Sequence, residues 1–478
     1  QGSTVTLSGV EVLDTHHDDD GEFGRGISVQ GESSLITSDC VLQGNHELGV
    51  YLAGSTATLE STRVLDTRTT TSGQSGRGIH VQEQSSLVAT DCLVQGNHEA
   101  GLFVSDSNTT LSGVQVLDTQ PDTNGTAGRG IGMAQGTLVA TDCVIQGNHE
   151  VGLAALGSTV SLEGVQVLDT QPNASGQLGR GINVQEQSTL VATDCLVQGN
   201  REVGVYVDDS TATLSSVQVL DTRRGILATA VGLTIQANAS AEVTDLTVQH
   251  AAGPALSVLF DSTMSCTDCT LTDSAFAGAV LQWGGQLVLE DSLIEGTVSD
   301  SSAGGGLGVF VDDRLSSILG LPTLTLLNST VRDNDLGAVY IKGAGTYQLT
   351  GNDLSGGGGL TVAPGGWLHG DALFVTTGEE SPSAWDEAEQ VGLLLQDNTF
   401  SDSAGAGIFL DGASATLSDN TYEGNATDLV RQACSETDAP EGLDDESLST
   451  TQVCPNYDYL TQEVLLVSPY LEEAEAEY

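Results

Sequence analysis

The stretch Ser86–Val104 reads SLVATDCLVQGNHEAGLFV, and close copies of it occur elsewhere in the chain. QGNHE stands at Gln43–Glu47, Gln95–Glu99 and Gln146–Glu150, and QGNRE stands at Gln198–Glu202. A His-Glu pair beside an Asn has the appearance of an active site. An enzyme, however, needs such a site once, so the repetition itself has to be explained first.

The copies belong to a repeat of about 52 residues. Five serines align at offsets of 52, 52, 51 and 52 residues: Ser3, Ser55, Ser107, Ser158 and Ser210. Each repeat has two similar halves, one starting with GRGI and the other with ExGL or ExGV, so one coil is 22–29 residues long.

Each coil contains short alternating runs such as GLFV and TATL, which are separated by Gly, Asn, Ser and Asp. This pattern is typical of short, half-buried strands. Stacked coils pair each strand in parallel with its equivalent in the next coil and bury the inward side chains as a column. The sequence predicts an all-β solenoid, a parallel β-helix of about 16–17 coils with a small C-terminal cap.

The charge balance limits the possible partners. The 65 acidic and 13 basic residues give a net charge of −52, and Lys342 is the only lysine. No positive face can be assembled for nucleic acid or for an anionic membrane surface, and no apolar run is long enough to span a membrane. The chain starts at Gln1, inside the repeat pattern, so we expect further coils or another subunit at the N-terminal end.

The pattern GIxV…LxxxxCxVxxNxxxG, as in Gly78–Gly101, resembles the pectate-lyase-like superfamily of right-handed parallel β-helices. The resemblance covers roughly Ser3–Asn425. It implies the fold, but the superfamily includes polysaccharide lyases, hydrolases and epimerases as well as adhesins and tailspikes. We predict a regular β-helix over 1–261, degenerate coils with loop insertions over 262–426, and a cap with an acidic tail over 427–478.

Stacking gives the QGNHE residues structural roles. The asparagines would form a hydrogen-bonded ladder at one turn: Asn45, Asn97, Asn148 and Asn200. Arginines and glutamates of successive coils would alternate in a charge ladder: Arg25, Glu47, Arg77, Glu99, Arg129, Glu150, Arg180 and Glu202. His46, His98 and His149 lie two coils apart, too far to share one zinc ion, and we expect them on the surface.

The eight cysteines fall into three groups. Cys40, Cys92, Cys143 and Cys195 recur two coils apart, beyond bridging distance, and are predicted to be buried free thiols. The pair Cys266 and Cys269 either closes a small loop or stays reduced. A Cys434–Cys454 disulfide would staple the cap and would place the protein in an oxidising compartment.

Candidates for chemistry are few. Weak catalytic candidates are Asp312 and Asp313 in VFVDDR and Lys342 in VYIKG, with Arg314, Arg332 and Asp411 as further members. Calcium is possible at acidic turns, with Asp208, Asp209, Asp312 and Asp313 as candidate ligands, and no other cofactor is expected. Tyr51, Phe103 and Tyr206 share a strand position, with Ala155 or a neighbour breaking the series, and they predict an aromatic ladder rather than a platform for sugars.

Repetition favours length and surface over a unique pocket. The sequence alone therefore predicts an extracellular or cell-surface structural or adhesive protein, a stalk, adhesin or filament subunit without catalysis. The alternative is a polysaccharide-active enzyme or a carbohydrate-binding module. A surface polysaccharide is the expected partner in either case.

Overall fold

The computed structural model describes residues 2–18, 23–225, 230–299, 305–313, 319–357, 370–376, 391–411, 413, 415–432 and 450–452. The chain divides into two compact units, Gln1–Ala230 and Val231–Tyr478. The predicted boundary at 261/262 rests on the regularity of the repeat, a different property, and stays a prediction. In the described part of the chain, no helix has the length and apolarity that a membrane span needs.

The first unit consists of two parallel sheets, named A and B. Its A strands are β1 Thr4–Ser8, β2 Glu11–Leu13, β4 Ser34–Ser38, β5 Val41–Gln43, β7 Thr56–Glu60, β8 Arg63–Leu65, β10 Ser86–Thr90, β11 Leu93–Gln95, β13 Asn108–Ser112, β14 Gln115–Leu117, β16 Thr137–Thr141, β17 Val144–Gln146, β19 Thr159–Glu163, β20 Gln166–Leu168, β22 Thr189–Thr193, β23 Leu196–Gln198 and β25 Thr211–Leu220. Its B strands are β3 Ile27–Gln30, β6 Leu48–Ala53, β9 Arg77–Gln82, β12 Ala100–Ser105, β15 Arg129–Ala134, β18 Val151–Leu156, β21 Arg180–Gln185 and β24 Val203–Asp208.

The second unit repeats this arrangement less regularly. Its A strands are β27 Ser240–Gln249, β29 Thr263–Thr267, β30 Thr270–Thr272, β32 Gln286–Glu290, β33 Leu293–Glu295, β35 Thr323–Leu327, β36 Thr330–Arg332, β38 Gly345–Thr350, β39 Asp353–Ser355, β41 Val391–Gln396, β42 Thr399–Ser401, β44 Thr416–Ser418 and β45 Thr421–Glu423. Its B strands are β26 Val231–Gln236, β28 Leu256–Leu259, β31 Ala277–Gln282, β34 Leu307–Asp312, β37 Gly337–Lys342, β40 Leu373–Thr376, β43 Ala406–Asp411, β46 Thr427–Gln432 and β47 Thr450–Gln452.

The described residues therefore hold eight B strands in the first unit and nine in the second, close to the predicted 16–17 coils. The prediction of a right-handed parallel β-helix is confirmed. Parallel pairing also continues past residue 426, where we predict that the coils end, because Leu429 of β46 pairs with Ile408 of β43 and with Thr450 of β47.

The core follows directly from the alternation in each strand. In β12, Leu102 and Val104 are buried, while Phe103 between them points outward and is half-buried. Leu102 pairs in register with Ile79 of the preceding coil and with Ile131 of the next. Because the side-chain period of a strand is two, this register keeps every aliphatic residue of the column inside.

Aspartates at the bends account for part of the acidic charge. The Asp of each TDC, SDC or LDT string in the first unit has a positive φ, near 50°: Asp14, Asp39, Asp66, Asp91, Asp118, Asp142, Asp169, Asp194 and Asp221. Asp and Asn tolerate the left-handed conformation better than other residues with a side chain. The acidic columns are thus a consequence of turn chemistry repeated in every coil.

The cysteines of the repeat are free and buried, as the distances between coils require: Cys40, Cys92, Cys143 and Cys195. Burial raises the pKa of the Cys92 thiol, so it stays protonated and packs as a small apolar group. Cys266 and Cys269, left open by the sequence, form a disulfide with their Cα atoms 6.0 Å apart. The predicted Cys434–Cys454 pair lies outside the described residues.

Candidate functional site

The Gln, Asn, His and Glu side chains of the QGNHE motif all have hydrogen-bond partners within the protein, as the second copy shows. Gln95 Nε2 donates to Asp118 Oδ2 of the next coil at 2.9 Å, and Gly96 has a φ of +68°. Asn97 is fully buried, where its Nδ2 donates to Val64 O at 3.1 Å and its Oδ1 accepts from Thr67 N at 3.0 Å. These contacts recur with the repeat, and they need no catalytic explanation.

The glutamates of the motif bind arginines of the preceding coil. The nitrogen–oxygen distances are 3.0 Å for Arg25–Glu47, 2.9 Å for Arg77–Glu99, 3.1 Å for Arg129–Glu150 and 3.0 Å for Arg180–Glu202. Exposure varies strongly along this ladder. The side chains of Arg25 and Glu47 are 20% and 15% exposed, whereas those of Arg180 and Glu202 are both 6% exposed.

Three of these arginines also stack on an aromatic ring of the next coil. The guanidinium carbon lies 4.3 Å from the ring centroid of Tyr51 for Arg25, 4.3 Å from that of Phe103 for Arg77, and 4.1 Å from that of Tyr206 for Arg180. Cation–π contacts of this kind stabilise a partly desolvated guanidinium. The predicted aromatic ladder therefore serves the arginines, and one face of each ring is covered.

His80 lies between two of these rings. Its ring centroid is 5.7 Å from Tyr51 and 5.3 Å from Phe103, both edge to face. Burial, reinforced by the positive charge of Arg77, lowers the pKa of His80 to about 3. The imidazole is therefore neutral at physiological pH, and a base this weak is poorly suited to proton abstraction.

The repeat is interrupted at the third Arg–Glu pair. In the outward column of the B sheet, Gly132 and Ala154 occupy the two positions that follow Phe103, and Asn183 comes next. Gly132 and Ala154 have no side chain large enough to cover Arg129. The side chain of Arg129 is 34% exposed, the most of the four arginines. We call this gap, formed by Arg129, Gly132 and Ala154, the notch.

Arg129 differs from the other arginines in its hydrogen bonds as well. Its Nε donates to Glu150 Oε2, but its Nη1 and Nη2 make no hydrogen bond within the described residues. In contrast, Arg77 uses its other nitrogens on Glu99 and on His80 Nδ1. The notch therefore presents the outer edge of a guanidinium whose Nη1 and Nη2 have no protein hydrogen-bond partner within the described residues, next to Gly132 and Ala154, which are themselves buried.

The catalytic candidates from the second unit do not form a compact centre. Asp312 and Lys342 are register partners on β34 and β37, and Asp312 is only 1% exposed. Asp313 Oδ2 accepts from Ala344 N at 2.6 Å, in a turn. Arg332 lies on the A sheet and pairs with Glu295, while Arg314 and the side chain of Asp411 lie outside the described residues.

A buried carboxyl that the sequence does not indicate is Asp371. Its Oδ1 accepts from Ala406 N at 2.6 Å, and burial raises its pKa to about 6. It lies beside Gly337, five residues before Lys342 on that strand, which places it roughly 16 Å from the Asp312–Lys342 pair by strand rise. Glycoside hydrolysis needs two carboxyls about 5–10 Å apart, so these groups do not provide such a pair.

The calcium candidates show no shared site. Asp208 Oδ2 accepts from the Tyr206 hydroxyl at 3.0 Å, and Asp209 follows in a left-handed turn. Among the described residues, no group of three His, Cys, Asp or Glu side chains is placed to hold a metal ion together. Calcium at these aspartates stays a prediction.

The signal for the notch was present in the sequence but easily missed. The strand strings GIGMA and GLAAL, at Gly130–Ala134 and Gly152–Leu156, carry small residues at the position that the three preceding coils fill with Tyr51, His80 and Phe103. Sequence alignment alone left it open whether Ala155 or a neighbour breaks the aromatic series. The register shows that Ala154 is the residue concerned.

Comparison with known proteins supports the fold. The family model described as "Right handed beta helix region" matches residues 1–167 and 180–371. A search of the curated proteins gives no match.

Alginate epimerases are among the solved structures that are similar to this chain. A double mutant of the periplasmic alginate epimerase AlgG aligns over 82% of this chain and 77% of its own, with 8% identity and a TM-score of 0.42. The parent AlgG structure covers 68% of this chain and 73% of its own, at 10% identity and a TM-score of 0.37. The A-module of the mannuronan C-5 epimerase AlgE4 of Azotobacter vinelandii covers 89% and 88%, at 13% identity and a TM-score of 0.22.

These neighbours contradict our prediction of a structural or adhesive protein, and we do not retain it. They are enzymes named for a polysaccharide, which agrees better with the alternative of a polysaccharide-active protein. At such low identity the likeness extends to the fold alone. The argument for an activity in this chain therefore has to come from its own residues.

Proposed function

The chain belongs to the right-handed β-helix family, and from the notch we propose that it is an exported, polysaccharide-active protein that binds an acidic polysaccharide. The sugar chain would lie along the outer face of the B sheet of the first unit. A carboxylate or sulfate group of the sugar would bind the outer edge of Arg129, the exposed member of the notch.

The open edge of Arg129 is the observation that carries this proposal. A guanidinium presents a planar fork of N–H donors that matches a carboxylate or sulfate in a bidentate geometry. Nε of Arg129 donates to Glu150 Oε2, so the group is held in place while Nη1 and Nη2 are left as donors for a ligand. Such a preorganised donor loses little conformational entropy on binding.

The spacing of the coils supports an extended glycan as the ligand. Adjacent strands lie about 4.8 Å apart, which is close to the advance per ring along an extended chain of pyranose sugars. A glycan parallel to the stack would thus meet one coil per ring. Half-exposed polar groups are available on neighbouring coils, including Gln82 and Gln185, to hydrogen-bond its hydroxyls.

The same contact would change the chemistry of a bound uronate, because neutralisation of its carboxylate by Arg129 makes the neighbouring C–H bond more acidic. Hydrolysis by a carboxyl pair fits this face less well, because Glu150 already binds Arg129. The proposal is therefore one of binding.

Binding can be tested with an oligouronate and its methyl ester by calorimetry at about 0.15 M ionic strength, where the Debye length of about 8 Å screens the negative protein. We expect the acid form to bind more tightly. Arg129→Gln should weaken its binding about 10- to 100-fold, the loss of one charge-assisted contact of about 1.5–3 kcal/mol.

Two further variants control the test. Arg25→Gln removes the equivalent arginine in a coil where Glu47 and Tyr51 engage it, and it should leave binding unchanged. Ala154→Tyr installs the side chain that the repeat carries at Tyr51 and Tyr206, so it should fill the notch and abolish binding. Equal binding by Arg129→Gln and the parent, or no preference for the acid over the ester, would refute the proposal.

A further inference from the structure

Three histidines of the first two coils lie together, although His46 is 29 residues or more from the other two in the sequence. The ring centroid of His46, from the first QGNHE string, is 5.5 Å from that of His16 and 5.2 Å from that of His17. His16 is exposed and His17 is half-buried, so both rings are accessible. This cluster lies away from the notch and has no part in the proposed function.

The His46 ring is turned away from the position that its equivalents adopt. His98 Nδ1 lies 3.0 Å from Thr67 O, and His149 Nδ1 lies 2.9 Å from Thr119 O. The equivalent acceptor for His46 is the carbonyl of Thr15. His46 Nδ1 instead lies 3.4 Å from Thr69 O, in the next coil, and its ring contacts the two other imidazoles.

Only the first coil carries this pair of histidines. At the two positions after the LDT string, later coils have Arg68-Thr69, Gln120-Pro121, Gln171-Pro172 and Arg223-Arg224. A glycine makes the close approach possible, since a Cβ at Gly24 would lie 2.5 Å from His46 Cβ and 3.0 Å from His17 N. Gly76, Gly128 and Gly179 make the same close approach in later coils. The first repeat therefore differs at His16 and His17, and these two positions produce the cluster.

The spacing of the rings suits a shared metal ion. Imidazoles bound to one tetrahedral zinc ion through Zn–N bonds of about 2 Å have ring centroids roughly 5 Å apart. The nearby Arg68 would repel a cation, but its guanidinium is 3.6 Å from the carboxylate of Asp14, which counters its charge.

We propose that His16, His17 and His46 form a binding site for a divalent transition-metal ion of the zinc class. Borderline ions such as Zn²⁺ and Ni²⁺ prefer imidazole nitrogen, unlike Ca²⁺ and Mg²⁺. In the described arrangement the three rings do not yet converge on one point. Binding therefore requires the imidazoles to turn about their side-chain bonds, which exposure allows for His16 in particular.

The test is a Zn²⁺ titration of the full chain by calorimetry, in excess Mg²⁺ and at high salt so that weak binding to the acidic surface is suppressed. We expect one tight site per chain. His46→Ala should weaken it at least tenfold, and His16→Ala should do the same without disturbing a buried group. His98→Ala is the matched control, since His98 occupies the position equivalent to His46 but has no histidine neighbours. The zinc affinity of this variant should equal that of the parent.

A second measurement identifies the ligands directly. Zn²⁺ should shift the imidazole NMR signals of His16, His17 and His46 and leave those of His98 and His149 in place. Equal affinity for the parent and the His46→Ala and His16→Ala variants would overturn the proposal. So would zinc binding that Mg²⁺ displaces, because that would be the response of a carboxylate surface.

Discussion

Replacing Glu202 by Gln should destabilise the first unit far more than replacing Glu47 by Gln, although both glutamates occupy the same position of the repeat. Glu202 and Arg180 have side chains only 6% exposed. The change would leave the Arg180 charge buried beside a neutral amide. Breaking a buried pair on one side costs about 3–5 kcal/mol, and since Gln can still accept a hydrogen bond we expect about 3 kcal/mol.

The same substitution at Glu47 should cost less, because the Arg25–Glu47 pair is more exposed to water. Arg25 and Glu47 are 20% and 15% exposed, and water can solvate the arginine once the carboxylate is gone. An exposed pair contributes about 0–1 kcal/mol. The double variant Arg180→Leu/Glu202→Leu should recover most of the loss, because an apolar pair leaves no uncompensated charge.

Hydrogen exchange, measured by mass spectrometry on the strands Arg180–Gln185 and Val203–Asp208, reports the local loss of stability. A local measurement avoids the assumption that a chain with two units unfolds in two states. A loss of 3 kcal/mol corresponds to exchange about 100-fold faster. High salt should reduce the effect of Glu47→Gln and leave that of Glu202→Gln nearly unchanged. Equal effects of the two variants, or a cost below 1 kcal/mol at Glu202, would refute the reasoning.

Three further outcomes are expected. Asn97→Ala should cost about 2–6 kcal/mol in chemical denaturation, because Thr67 N and Val64 O lose their buried partner; a cost below 1 kcal/mol would contradict this. Asp371 has a raised pKa, so folding takes up a proton between pH 4 and pH 6, and the carboxylate destabilises the fold as the pH rises through this window. Asp371→Asn should thus be more stable than the parent above pH 6, by up to about 3 kcal/mol, and no more stable below pH 4. The pKa of His80 is lowered, so the neutral ring favours the folded state and this contribution is lost as the pH falls from about 6.5 towards 3. NMR should show a neutral His80 ring at pH 5, and a protonated ring at that pH would contradict the environment described.

The repeat makes much of the fold predictable. Constant offsets set the register, so the Asn ladder and the Arg–Glu order follow from counting residues, and the structure places Asn97 and Glu99 accordingly. Counting cannot give burial, because the cover over Arg180 comes from Tyr206 and Asn183 in three dimensions. Identical motifs can therefore contribute very different amounts to the stability of the fold.

Function was harder to predict because repetition drew attention to the wrong residues. QGNHE is repeated since every coil needs the same turn, and that reasoning holds. The further step, from repetition to a purely structural role, does not follow. In a solenoid, features that occur once are found where the repeat is broken, as at Ala154 and at the His16–His17 pair, and single substitutions are inconspicuous beside the repeated strings.

The alternation of arginine and glutamate coils also sets the step by which such a chain can change its length. Recombination between two QGNHE-coding segments removes or adds two coils at once, and an arginine again meets a glutamate at the new junction. Loss of a single coil would instead bring two groups of like charge together, for example Glu47 and Glu99, in a partly desolvated column. We expect natural length variants to differ in steps of about 10 Å, two strand spacings, rather than five.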